Sequence, residues 1–235
     1  MNDEQKALRK EALAAIPDSP LTVEFRAMAL DIGSAIRRSG DGWLLLDGRR
    51  SLLGAVGPVE LEEVQALHAA ASRECDILAD AEAVSLLEGA WPFIPARITA
   101  LERPWSRPAC GASPPAVRPL LPRDSLDHLP DDLRGEIEAQ VVGRMVMAAF
   151  VAERAVSFAS TPWVTEDYGD ISVDTLAEHR RRGIGRTVVT ALIEHLLEIG
   201  KTPVWGARVD NEASLAMAAN LGITSAAGEL FVFEA

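Results

Sequence analysis

The spacing of apolar residues changes period several times along the chain, and each change marks a predicted element. Residues 22–38 place Phe25, Met28, Ala29, Ile32 and Ile36 at helical intervals, which predicts one helix. Residues 42–48 (GWLLLDG) and 51–59 (SLLGAVGPV) predict two strands joined by a tight turn at Asp47-Gly48. A helix over 60–71, a short buried strand at 75–80 (CDILAD) and a helix over 81–89 follow. Six prolines between 103 and 124 (RPWSRPACGASPPAVRPLLPRD) then forbid a continuous helix and discourage a central strand. That stretch is the natural boundary between a region 1–115 and a region 116–235.

Beyond it, 131–142 predicts a helix, and 146–153 with 155–161 an antiparallel pair. Residues 168–176 (YGDISVDTL) alternate as a third strand with two unlike faces. Residues 187–200 line up Val188, Leu192, Leu196 and Ile199 on one helical stripe that Gly200 closes. A strand over 202–209, a helix over 211–222 and a last strand over 228–235 complete the chain. The order strand, strand, helix, strand, helix thus occurs twice, which suggests that the first region is a degenerate copy of the second.

Composition changes this picture only at its margins. With 235 residues, 48% hydrophobic and 25% charged, the chain can bury a substantial core. A formal charge of -12, from 23 basic and 35 acidic residues, argues against a nucleic-acid partner and tolerates a cationic one. Cys75 and Cys110 show no metal-ligand spacing and read as ordinary thiols; no metal is expected. The first residues lack an apolar signal core, and no apolar run nears the roughly 20 residues that cross a bilayer, so a cytoplasmic protein without a membrane partner is expected. Trp43, Trp91, Phe93 and Trp105 read as core or interface residues rather than a ligand cage.

The chemistry concentrates at residues 180–186, where a strand gives way to a helix. The first turn of a helix offers unpaired N–H groups and the positive end of its dipole. Gly183 and Gly185 let a ligand approach the backbone, while Arg180, Arg181, Arg182 and Arg186 add charge in an otherwise acidic chain. Together they describe a seat for a pyrophosphate. The run lacks the lysine of a nucleotide P-loop, and Val188 stands where a dinucleotide fingerprint needs its third glycine.

Arg180-Arg181-Arg182-Gly183-Ile184-Gly185 resembles the [QR]-x-x-G-x-[GA] signature of the GNAT acetyltransferases. Its context fits: a strand precedes it, an amphipathic helix follows, and Asn211-Glu212-Ala213-Ser214 and Asn220-Leu221-Gly222-Ile223 resemble the family's later segments. The resemblance covers 170–235 closely and reaches back to Val141. It implies an α/β (α+β) fold of the GNAT type, a mixed, mostly antiparallel sheet flanked by helices. It also implies acetyl-CoA as cosubstrate, an amine acceptor of a small molecule or a protein, and a homodimer, common among such proteins. Residue by residue, Val173, Asp174 and Thr175 would pair with the pantetheine arm as an added strand. Residues Arg180, Arg181, Arg182, Gly183, Ile184, Gly185 and Arg186 would hold the pyrophosphate, and Asn211 would reach the cofactor while also capping its helix.

Many family members protonate the departing thiolate with a tyrosine in the last helix; here that position is Ala218, and the only tyrosine is Tyr168. Asp170 is the leading candidate base, ahead of Glu166, Asp174 and His179. The missing tyrosine leaves a second reading open, an acyl-CoA-binding or sensor protein that does not catalyse.

Overall fold

The computed structural model describes residues 2–71, 75–109, 115–141 and 144–234. Cys110, part of the proline-rich stretch and the end of the predicted helix 131–142 lie outside them. The first region holds α1 (Asp3–Ala15), α2 (Val23–Leu30), β1 (Ala35–Ser39), β2 (Gly42–Asp47), β3 (Leu52–Val56), α3 (Leu61–Ala70), β4 (Asp76–Ala79), α4 (Ala81–Leu87) and β5 (Phe93–Leu101). The second holds β6 (Ala116–Pro119), α5 (Asp131–Val141), β7 (Val146–Val151), β8 (Arg154–Ser160), β9 (Tyr168–Asp170) and β10 (Ser172–Thr175). It continues with α6 (Ile184–Glu198), β11 (Thr202–Arg208), α7 (Glu212–Asn220) and β12 (Ile223–Phe233).

Among the described residues the strands form two sheets, ordered β1-β2-β3-β4-β12-β5-β11-β9 and β10-β8-β7-β6. The larger one has an internal symmetry centred between β12 and β5. On either side, the next strand outward is antiparallel to the centre (β4 on β12, β11 on β5). The one after that is parallel to its neighbour (β3 on β4, β9 on β11). Each half therefore hands its last strand to the other half's sheet. The N-terminal region is a degenerate copy of the C-terminal fold, and the two copies share one sheet.

Helices cover the sheet because their apolar stripes match its faces. α1 and α2 bury Ala12, Ile16, Phe25 and Met28 on one face, with Ile98, Val204 and Leu230 beneath them. α6 buries Val188, Val189, Leu192 and Ile193 against Ala159, Ile171 and Trp205. Each fully buried side chain of this size contributes roughly 1.5–3 kcal/mol.

The predicted helix 22–38 is the clearest departure. α2 stops at Leu30, and Ile36 belongs to β1. The cause lies in α1: the buried Arg9 guanidinium donates to the carbonyls of Ala29 (2.5 Å), Asp31 (2.7 Å) and Ser34 (3.0 Å), taking acceptors a longer helix would have used. Asp31 also closes a turn onto the Gly33 N–H at 2.9 Å, which leaves Ile32 79% exposed instead of on the stripe. The predicted strand 168–176 is two strands with a break at Ile171, each in a different sheet. The last strand begins at Ile223, five residues before its expected start, and β6 falls inside the proline-rich stretch as an edge strand ending on Pro119.

Candidate functional site

Ile171 is where the two sheets part. β9 runs parallel to β11 as far as Asp170 opposite Val204, and the Ile171 N–H donates to the Val204 carbonyl at 2.9 Å. From Ser172 onward the chain pairs with β8 instead, Ser172–Thr175 facing Ser160–Ser157. A V therefore opens between β10 and β11, and among the described residues one edge of β10 is unpaired. Such an edge presents N–H and C=O groups to any extended chain laid along it.

The V leads into a cavity of about 520 Å³. It is walled by Val173, Asp174 and Thr175 of β10, by the turn before α6, by Trp205 of β11 and by Asn211, Ser214 and Met217 at α7. Gly183 caps α6 in the left-handed region (φ 76°) without a capping side chain, so the first amides of α6 stay available to a ligand. A Cβ at Gly183 would meet nothing of the protein within 4 Å, whereas one at Gly185 would come within 3.0 Å of the Thr175 hydroxyl. Gly185 thus keeps α6 tight against β10.

The arginines divide their work. Arg180 turns back and donates to the Thr175 carbonyl at 2.9 Å, fixing the loop to the strand that precedes it. Arg186 reaches the Ala109 carbonyl at 2.8 Å. Arg181 sits at φ 59° and lines the cavity with Arg180 and Arg186. Arg182 does not line it; its guanidinium is turned to His179 Nδ1 at 3.3 Å. With that exception the residues expected around the cofactor, Val173 to Thr175, Arg180, Arg181, Gly183 to Arg186 and Asn211, meet in one place.

Of the wall at α7, the sequence names only Asn211. Asn211 caps α7 by accepting the Ser214 N–H at 3.1 Å, and the Trp205 indole donates to Ser214 Oγ at 3.0 Å, tying α7 to β11. Ala218 is packed into the core at 3% exposure, and Met217 and Ser214 line the cavity instead. Tyr168 packs against the α1–α2 core and is not among the lining residues.

The four candidate bases have different surroundings. Glu166 is held by Arg26 through Nε (2.8 Å) and Nη2 (2.7 Å), which keeps its carboxyl below the usual range and makes it a poor base. His179 lines the cavity. Asp174 is pushed up by burial, with Arg180 pulling it part of the way back. Asp170 is buried and pushed up to about 7 by desolvation, the Gly206 and Ile171 backbone N–H groups offsetting part of the rise. Among the described residues its Oδ1 has no hydrogen-bond partner. A Cβ on the preceding Gly169 would press on Leu196 of α6, so strand alternation aims Asp170 at the opposite face, where α2 lies.

A family model described as GNAT acetyltransferase matches residues 141–227. No curated protein is similar enough in sequence to count as a match. Among solved structures, a GCN5-related N-acetyltransferase-like protein from Streptococcus suis shares the fold at 16% identity and TM-score 0.71, over 98% of this chain and 99% of that one. A GNAT-family acetyltransferase from Colwellia psychrerythraea aligns at 12% identity and TM-score 0.62, over 98% and 96%. A tandem GNAT protein from the clavulanic acid biosynthesis pathway, solved without AcCoA, aligns at 16% identity and TM-score 0.56, over 99% and 95%. These alignments span both halves, as the internal symmetry requires. Among the described residues, no helix is long and apolar enough to cross a membrane.

Proposed function

We propose, from the premise that the C-terminal part of this chain belongs to the GNAT acetyltransferase family, that the protein transfers an acetyl group from acetyl-CoA to an amine. The observation that carries this reading is the V between β10 and β11 running into an amide-lined, arginine-rich turn. The donor set matches the chemistry of the cosubstrate. An extended pantetheine arm suits the unpaired edge of Val173–Thr175, and a pyrophosphate suits the first amides of α6 with Arg181 and Arg186.

In this reading Asp170 is the general base. It lies beside the vertex of the V, and a carboxylate with a pKa near 7 is half-ionised at neutral pH while remaining basic enough to take a proton. A backbone N–H at the vertex polarises the thioester carbonyl. The buried Ala218 removes the family's tyrosine, so the departing thiolate takes its proton from the reacting nitrogen through water. Ala218 also favours a second reading, acyl-CoA binding without turnover.

Calorimetric titration of acetyl-CoA into the wild type and Gly183→Trp tests the site. A Cβ at Gly183 meets nothing of the protein within 4 Å, so the added side chain enters the open anion seat, although at φ 76° it also strains the turn. Binding to the wild type and not to the variant is expected; no binding to the wild type sinks the proposal. Tight binding with no thiol released across an amine panel would select the second reading.

A further inference from the structure

The same face of the V carries a second buried carboxyl, from the other half of the chain. Glu24 of α2 is 7% exposed and Asp170 9% exposed. Among the described residues, Glu24 Oε2 and Asp170 Oδ1 are both buried without a hydrogen-bond partner. Both groups meet at Gly206. Its N–H faces Asp170, and a Cβ there would stand 3.5 Å from Glu24 Oε1, so a glycine leaves room for the second carboxyl. Gly206 is also exposed, although β11 is not an edge strand. The sheet is therefore open to solvent beside two carboxyls, each of which keeps one oxygen without a donor among the described residues.

Two such groups this close cannot both ionise cheaply. Glu24 is pushed well above its usual range, first by burial and then by the Asp170 charge, and among the described residues no cation offsets either rise. The cation on α2, Arg26, is committed to Glu166 and to the carbonyls of Leu13 and Ile16. Further out on the same face, Asp174 of β10 and Glu136 of α5 are likewise pushed up by burial, Glu136 also by the Asp174 charge. The Gln140 amide, and then Arg50, pull Glu136 part of the way back, as Arg180 does Asp174. Orphaned acceptors without donors call for a ligand that is all donor, and an ammonium group is one.

We propose that Glu24 and Asp170 form a carboxyl pair sharing one proton, and that this pair is the seat of the acceptor, which arrives as a cationic primary amine. The inference rests on the acetyltransferase reading and names its substrate class. The arriving ammonium releases the shared proton to solvent and lies between two carboxylates. One carboxylate then takes a proton from the ammonium, and the neutral nitrogen's lone pair forms the new C–N bond to the thioester carbon. The C–S bond breaks with its electrons going to sulfur. The second nitrogen proton passes to the thiolate, and the amide leaves.

The test uses the full chain saturated with CoA. n-Butylamine, glycinamide and lysinamide, charged near neutral pH, and aniline, uncharged there, are titrated calorimetrically in buffers of different ionisation enthalpy. Wild type, Glu24→Gln and Asp170→Asn are compared. At least one charged amine should bind the wild type and release a proton, and aniline should release none. Glu24→Gln should abolish the release and weaken charged amines roughly tenfold or more, with acetyl-CoA affinity unchanged. A merely structural Glu24 would not set proton release. Charged amines that bind without release, bind Glu24→Gln equally well, or fail to bind a protein that holds acetyl-CoA would overturn the inference. Failure of acetyl-CoA itself to bind would take down the acetyltransferase reading and this inference with it.

Discussion

Asp170→Asn should make the protein more stable at neutral and alkaline pH. Burial carries the Asp170 carboxyl from 3.8 to about 7. Below about pH 4 the group is protonated in folded and unfolded chains alike, and its full contribution is present. Between there and 7 only the unfolded chain ionises, so stability falls as pH rises; above 7 both states are ionised and the loss levels off. The span corresponds to about 4 kcal/mol, an upper figure because the neighbourhood can relax. Asparagine keeps the shape and an acceptor for the Gly206 N–H, carries no charge to desolvate, and also relieves Glu24 of its charged neighbour. Urea unfolding at intervals from pH 4.5 to 8.5 measures this directly. The midpoint gap between variant and wild type should widen with pH until about 7 and then hold. Parallel curves, or a variant less stable than wild type at pH 8, would show that the ionised carboxylate is solvated or partnered in the fold, and the case for Asp170 as a base would fail with it. The same variant should lose acetyl transfer, the usual cost of removing a strained functional group.

Three smaller changes probe the frame around the site. Arg26→Ala removes two bonds to Glu166 and those to the Leu13 and Ile16 carbonyls, and should cost about 2 kcal/mol in urea unfolding; a loss under about 0.5 kcal/mol would contradict this. At Gly54 an added Cβ would lie 2.9 Å from the ring of the fully buried Phe25, so Gly54→Ala should destabilise by about 1–3 kcal/mol, and an unchanged melting point would refute that packing. Trp205→Phe removes the indole bond to Ser214 Oγ and loosens α7; acetyl-CoA affinity should fall about threefold to tenfold by calorimetry, and an unaltered Kd would mean the wall at α7 is not part of the site.

What could be read from the sequence follows from how local each cause is. The turn at 180–186 is specified by consecutive residues, so its arginines and glycines located the cavity without any tertiary information. The helices α3, α6 and α7 lie within a few residues of their expected bounds because one face of each sets the period, and the strands β2, β3 and β11 because turn residues bound short apolar runs. The end of α2 is not legible locally because Arg9, 20 residues before Ala29, terminates the helix. The central strand β5 alternates only over Ala96–Ala100, a short signal beside Pro92 and Pro95, and its place between β11 and β12 comes from exchange between the halves. Glu24 shares this character. On its own helix it is one more acidic residue, and only the crossing of α2 over Gly206 sets it beside Asp170.

Among the described residues the two copies differ at the place where the C-terminal copy opens its V. In the N-terminal copy β3 and β4 stay paired over Leu52–Ala55 and Asp76–Ala79, and the Asp80 N–H continues the ladder to the Ala55 carbonyl at 3.2 Å. Asp80 then caps α4 in the position Asn211 holds on α7, but its second oxygen accepts the Gly57 N–H at 2.8 Å and bolts the two strands' ends together. Where the C-terminal copy enters its helix through arginines and glycines, α3 begins with Glu60, Glu62 and Glu63. Carboxylates at a helix start satisfy its dipole internally and repel a phosphate. The N-terminal copy is thus shut at the very place where its partner opens. What it brings to the other copy's site is α2, and with α2 the Glu24 carboxyl, which no single copy of the fold would set opposite Asp170.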